Sequence, residues 1–176
     1  MHQDIKEILY TGEEIEQKCK ELAQQIDKDY AGQTILLVGL LKGSIPFMAQ
    51  LSKYLQTEVR FDYMKVSSYE GTESKTLVVK QDLEEDVIGQ NILIVEDILD
   101  TGKTLKNVQE MLEKRNAKSV KIVTLLDKEE GRIYPMQAHY VGFKIPKHFV
   151  VGYGLDFNER YRQLPYVGIL KEDCYK

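Results

Sequence analysis

The segment Val95-Glu96-Asp97-Ile98-Leu99-Asp100-Thr101-Gly102-Lys103-Thr104 concentrates side chains suited to chemistry. An apolar run ends in two adjacent carboxylates, and a turn with a further acid, two threonines and a glycine opens the next helix. Backbone N–H groups at a helix start lack intrahelical partners, and the helix dipole favours negative charge there, so the turn suits an anion. Gly102 lets the chain approach that anion closely, while Thr101 and Thr104 offer hydroxyl donors. Gly102-Lys103-Thr104 also invites a nucleotide-triphosphate loop, but that pattern needs a glycine where Asp97 stands. Glu96 and Asp97 would repel an anion unless they accept hydrogen bonds from sugar hydroxyls or hold a divalent cation through water. Both solutions point to a sugar phosphate with vicinal hydroxyls. The bland alternative, acids that merely cap and charge a helix start, suits any one of the three acids alone. It suits all three beside two threonines and a glycine less well.

The surrounding pattern supplies the frame for these residues. Thr11 and Glu14 have capping-box spacing, and Ile15, Cys19, Leu22 and Ile26 continue as one helical stripe behind a short arm. Thr34–Leu40 is an apolar run rich in branched residues, as a strand buried on both faces requires. Ser44 and Pro46 mark a helix start, with Phe47, Leu51 and Leu55 on its inner stripe. From Glu58 to Val66, Val59, Phe61 and Tyr63 alternate with Arg60, Asp62 and Met64, which predicts a half-covered strand. Residues 67–75 are polar and contain Gly71, as in a mobile loop, and a strand resumes over Thr76–Lys80. Asn91–Val95 is a second apolar strand. Leu105, Val108, Met111 and Leu112 predict an amphipathic helix ending near Asn116, and Val120–Leu126 a further buried strand. Short strands are expected around Tyr140, Phe149 and Val167. Alternating strands and helices imply a mostly parallel sheet covered on both sides, whose ligands gather beyond the strands' carboxyl ends.

At 176 residues one domain with a real core is expected. The balance of 28 acidic against 24 basic residues gives a charge of −4, which argues against nucleic acid as the main ligand. It argues equally against an RNA-contacting regulator that senses nucleotides, which would need a basic face. Cys19 and Cys174 form no paired pattern and read as reduced thiols. His2, His139 and His148 have neither metal nor triad spacing. Met1–Lys6 lacks a signal-type apolar stretch, and the longest apolar run, Ile35–Leu41, is too short to cross a bilayer. A cytoplasmic protein without a membrane partner is the expectation.

Val95–Thr104 resembles the phosphoribosyl pyrophosphate (PRPP) signature of the type I phosphoribosyltransferases. Leu41-Lys42-Gly43-Ser44 is similar to the family's pyrophosphate loop, Ser67-Ser68-Tyr69 to its mobile lid, and Phe149–Asp156 to its base-binding segment. Four motifs in this order resemble, more narrowly, the hypoxanthine-guanine phosphoribosyltransferases over nearly the whole chain. The resemblance implies an α/β type I phosphoribosyltransferase fold in one domain, 1–176. Its mostly parallel twisted central sheet would be flanked by helices, with a small hood formed by terminal segments. It implies a pentosyltransferase of purine salvage that moves phosphoribose from PRPP to hypoxanthine or guanine, with xanthine as the rival base. Mg²⁺ is the implied cofactor, and a homodimer or homotetramer the implied assembly.

By the same resemblance, Glu96 and Asp97 face the ribose hydroxyls and Mg²⁺. Asp100, Thr101, Gly102, Lys103 and Thr104 bind the 5′-phosphate, with Asp100 also the acid/base near purine N7. Lys42 and Gly43 offer backbone amides to pyrophosphate, in a loop that can carry a non-proline cis peptide before the lysine. Arg162 contacts pyrophosphate. Lys128 meets purine O6, Phe149 stacks on the ring, and Val150 lends backbone groups to the base edge. Asp156, in the base-binding segment, helps hold Mg²⁺, and Ser68 and Tyr69 belong to the lid. Beside these stands the plainer reading in which Lys128 is one solvated charge in a polar run ending at Arg132.

Overall fold

The computed structural model describes residues 1–68 and 77–176, so Tyr69 and most of the expected lid lie outside the described residues. In chain order the elements are β1 (Ile5–Tyr10), α1 (Gly12–Asp29), β2 (Thr34–Leu40), α2 (Ile45–Ser52), β3 (Glu58–Ser68), β4 (Leu77–Gln81) and β5 (Asn91–Leu99). α3 (Lys103–Lys114), β6 (Ser119–Asp127), β7 (Tyr140–Lys144), β8 (Val150–Val151) and β9 (Val167–Leu170) follow. No helix among the described residues is long and apolar enough to cross a membrane.

The apolar runs form the middle of a six-stranded sheet of order β4-β3-β2-β5-β6-β7, parallel except for the β3–β4 pair. Successive side chains of a strand leave opposite faces, and β2 divides accordingly. Ile35 and Leu37 join a core with α1 and α2, whereas Leu36 and Val38 join a second core with α3. The stripe of α1 predicted from spacing is buried, and Thr11 and Glu14 close the capping box. Each fully buried Leu or Ile contributes roughly 1.5–3 kcal/mol relative to exposure, so the two layers fix the sheet from both sides.

Chain order reverses between β2 and β5: β3 and β4 extend the sheet one way, β6 and β7 the other. Pairing of β2 with β5 stops at Gly39 and Val95, whereas β5 stays paired with β6 out to Leu99 and Asp127. The last residues of β5 therefore border an open crevice where such sheets hold ligands. A separate antiparallel sheet, β1-β9-β8, builds the hood over a small core of Ile5, Val151, Tyr161 and Leu170.

Four sequence expectations need correction. The arm before α1 is a strand, β1, because Ile5–Tyr10 pairs with β9. β5, expected to be apolar over Asn91–Val95 and to end in the two acids, runs on to Leu99, since β6 continues the ladder beside it. β3 is covered on both faces: Met64 and Asp62 are buried on one, Val59 and Tyr63 pack on the other, and Phe61 is left 48% exposed. It also reaches Ser68, because the backbone of Ser67 and Ser68 pairs with Val78 and Leu77.

Candidate active site

Beyond β5 lies a cavity of about 210 Å³ lined by Glu96 to Gly102, Thr104 and Leu105. Gly102 is the N-cap of α3 at φ 82, a left-handed conformation that favours glycine. No side chain caps this helix, so Asp100 is not spent on capping. The unpaired amides of the first turn remain available to an anion. Thr101 Oγ1 accepts from the Lys103 amide at 3.4 Å, and Lys103 is the first residue of α3.

Glu96 and Asp97 sit side by side at the head of this cavity. The Asp97 amide donates to Glu96 Oε1 at 3.1 Å, and the Ile98 amide to Asp97 Oδ1 at 2.7 Å. Burial pushes both carboxyls above their usual range, and Glu96 is raised further by the charge of Asp97. The charge of Arg162 partly offsets this at Asp97. Two crowded carboxylates of this kind are relieved by a cation or by hydroxyl donors.

Across the crevice, the peptide bond between Leu41 and Lys42 is cis. Gly43 is pressed so closely against Asp97 that any Cβ there would collide with the carboxylate. Gly154, at φ 101, lies equally tight on the Gly43 carbonyl and so joins the hood to this loop. Ser44 opens α2 with its hydroxyl buried and unpartnered among the described residues, as is Arg162 Nε. Arg162 donates to the Gly154 carbonyl at 2.6 Å and pairs with Asp156 and Glu159, each at 3.0 Å. Lys42 reaches the other oxygen of Glu159. Hydrogen bonds from Lys42 and Arg162 hold the Glu159 carboxyl below its usual range. Asp156 also accepts from the Glu159 amide at 2.9 Å. Its contacts thus lie with Arg162 and Glu159, and among the described residues no three acidic, His or Cys side chains gather as a metal group.

On the third side, Lys128 Nζ stands 3.3 Å from Asp100 Oδ2. The lysine side chain is only 16% exposed, so the solvated reading of this residue does not hold. Phe149 is 38% exposed, with Tyr175 stacked on it at 4.8 Å and Phe157 edge-on at 5.4 Å. Val150 is buried in β8, paired with Ile169. The backbone of Ser68 ends β3.

The sequence reading missed Glu159, Tyr175, Gly131 and Arg132. Gly131 lies against Asp100, where a Cβ would strike the carboxylate, and Arg132 packs, largely shielded, behind the turn. Asp127, the acid that closes β6, is buried, and nothing local in the sequence marks it so.

Comparison with known proteins bears on this arrangement. Residues 6–158 match the model of the phosphoribosyl transferase domain. The chain is 52% identical over 177 aligned residues to a hypoxanthine-guanine phosphoribosyltransferase of Streptococcus pneumoniae, covering 99% of this chain and 98% of that relative. Its structure is similar to a hypoxanthine phosphoribosyltransferase of Staphylococcus aureus, at TM-score 0.96 and 49% identity, covering 100% of this chain and 97% of that one. It is also similar to a substrate-bound ternary complex of a hypoxanthine phosphoribosyltransferase variant from Trypanosoma cruzi, at TM-score 0.95 and 38% identity, covering 99% and 100%.

Proposed function

The chain belongs to the phosphoribosyl transferase domain family, in its hypoxanthine-guanine branch, and from that premise we propose how its residues divide the work. It is a purine-salvage pentosyltransferase: phosphoribose passes from PRPP to hypoxanthine or guanine, giving IMP or GMP and pyrophosphate. Residues 1–176 act as one phosphoribosyltransferase domain.

The observation that carries the site assignment is the 3.3 Å approach of Lys128 to Asp100. N7 and O6 are neighbouring acceptors on one edge of a 6-oxopurine. An ammonium beside a carboxyl can serve both: Lys128 donates to O6, and Asp100 manages the proton at N7 as N9 attacks the anomeric carbon. Adenine places an amino donor where Lys128 also donates, so the site discriminates against it. Phe149 offers its open face to the ring, and Val150 lends backbone groups to the base edge.

The amides and hydroxyls of Asp100 to Thr104 grip the 5′-phosphate. Glu96 and Asp97 accept from the ribose hydroxyls. Pyrophosphate lies against the amides of Lys42 and Gly43, with Arg162 supplying a planar fork. The unpartnered Ser44 hydroxyl and Arg162 Nε at this place fit an oxygen-rich ligand. The adjacent pair Glu96 and Asp97, and apart from it Asp156, offer carboxylate oxygens of the kind that would hold Mg²⁺ with waters and substrate oxygens completing its shell. Mg²⁺ held there would supply positive charge to offset the negative charge of the departing pyrophosphate. As that bond breaks, positive charge grows on the ribose, and Ser68 and Tyr69 belong to a lid that excludes water. A homodimer or homotetramer is part of the same reading.

A kinetic panel with hypoxanthine, guanine, xanthine and adenine, each with PRPP and Mg²⁺, tests the assignment. Nucleotide is expected from hypoxanthine and guanine, with adenine inert. Product no greater than a no-enzyme control with every base would overturn it.

A further inference from the structure

Arg132 lies in none of the motifs above, yet its guanidinium holds three parts of the chain at once. Nε donates to the Asp100 carbonyl at 2.9 Å, Nη1 to the Met136 carbonyl, and Nη2 to the Asp127 carboxylate. The side chains of Arg132 and Asp127 are 14% and 5% exposed, so this pair is shielded from water and salt. Around it, the Ile133 and Tyr134 amides both donate to the Thr101 carbonyl at 3.0 Å. A Cβ at Gly102 would lie 3.1 Å from Arg132 Cδ, so the turn rests directly on the arginine stem.

The topology gives this contact its meaning. Asp127 ends β6, and Lys128 follows it immediately. Asp100 follows β5, the neighbouring strand. A guanidinium bonded to the Asp100 backbone and to Asp127 therefore fixes the spacing between Asp100 and Lys128. A planar fork can reach three acceptors in fixed directions, whereas a lysine presents one compact ammonium and would leave the other acceptors unserved. We propose that Arg132 is a positioning residue for the transfer step, setting Asp100 against Lys128 through the Asp127 anchor without touching substrate. The proposal rests on the assignment of Asp100 to N7 and Lys128 to O6.

A double-mutant cycle separates this from a merely structural role. A displacement of about 1 Å in a catalytic geometry can lower turnover on the order of 100-fold. Arg132→Lys is expected to lower kcat for IMP formation by that order while circular dichroism stays native. In the Arg132→Lys background, Asp100→Asn is expected to cost far less than it does alone, because both changes remove one function. Asp127→Asn, nearly isosteric, should reproduce the coupling, and it carries the test if Arg132→Lys fails to fold. Additive penalties, or an Arg132→Lys enzyme with wild-type kcat, would overturn the role of Arg132 while leaving the site assignment standing. An Asp100→Asn enzyme with wild-type kcat would instead remove the assignment beneath it.

Discussion

On the side we assign to the sugar phosphate, the backbone of Asp100 is held by an ion pair hidden from water, whereas on the side we assign to pyrophosphate Lys42 meets Glu159 in the open, beside the half-buried Arg162 and Asp156. The Arg132–Asp127 side chains are 14% and 5% exposed, against 48% and 61% for Lys42 and Glu159. Shielded pairs keep their geometry when solvent fluctuates, while exposed pairs are weak and screened by salt. The difference matches what each side must do. The carbon that reacts needs fixed partners, and the group that leaves needs partners that let go. Glu159 occupies the Lys42 ammonium and the Arg162 guanidinium with its own carboxylate, so under the proposed assignment an incoming diphosphate would take its place on Arg162, one set of anionic oxygens in exchange for another.

This contrast can be broken at three points. Asp100→Asn should have the largest effect, lowering kcat by roughly two to four decades while PRPP affinity changes much less, since proton transfer by a placed carboxyl is typically of that size. Steady-state kinetics with direct PRPP binding would check it, and an unchanged rate would make the fixed wall irrelevant to catalysis. Lys128→Ala should weaken hypoxanthine and guanine use by about 10- to 100-fold in kcat/KM, the scale of one charge-assisted hydrogen bond. Full retention of 6-oxopurine efficiency would remove Lys128 from the site. Glu159→Gln should have the smallest effect, tightening inhibition by pyrophosphate by less than about fivefold at low salt and by nothing measurable at high salt. Weaker inhibition, or a change indifferent to salt, would contradict the exchange.

Local signals were legible in the sequence. The capping box at Thr11 and Glu14, the apolar run Thr34–Leu40 and the glycine turn that opens α3 each depend on neighbours a few residues away, so spacing reveals them. What escaped was set by distant partners. Ile5–Tyr10 is a strand only because β9, some 160 residues on, pairs with it, as Ile5 does with Leu170. β5 runs past the two acids to Leu99 because β6 stays paired beside it, a length no local window sets. Arg132 closes a charged run that looks solvated, and only the fold reveals Asp127 waiting in the interior. Tyr175 meets Phe149 from beyond the last strand, a pairing that no local window contains.

Gly154 carries one more consequence, for anyone who would change what base this scaffold accepts. The residue stands at φ 101 with its α-carbon against the Gly43 carbonyl, where even a methyl group finds no room. A transplanted hood would therefore inherit a boundary condition: whatever loops it brings, it must meet the sheet through a bare, left-handed backbone at that seam. Redesign of base preference is free to vary the walls of the pocket but not the joint on which they are mounted.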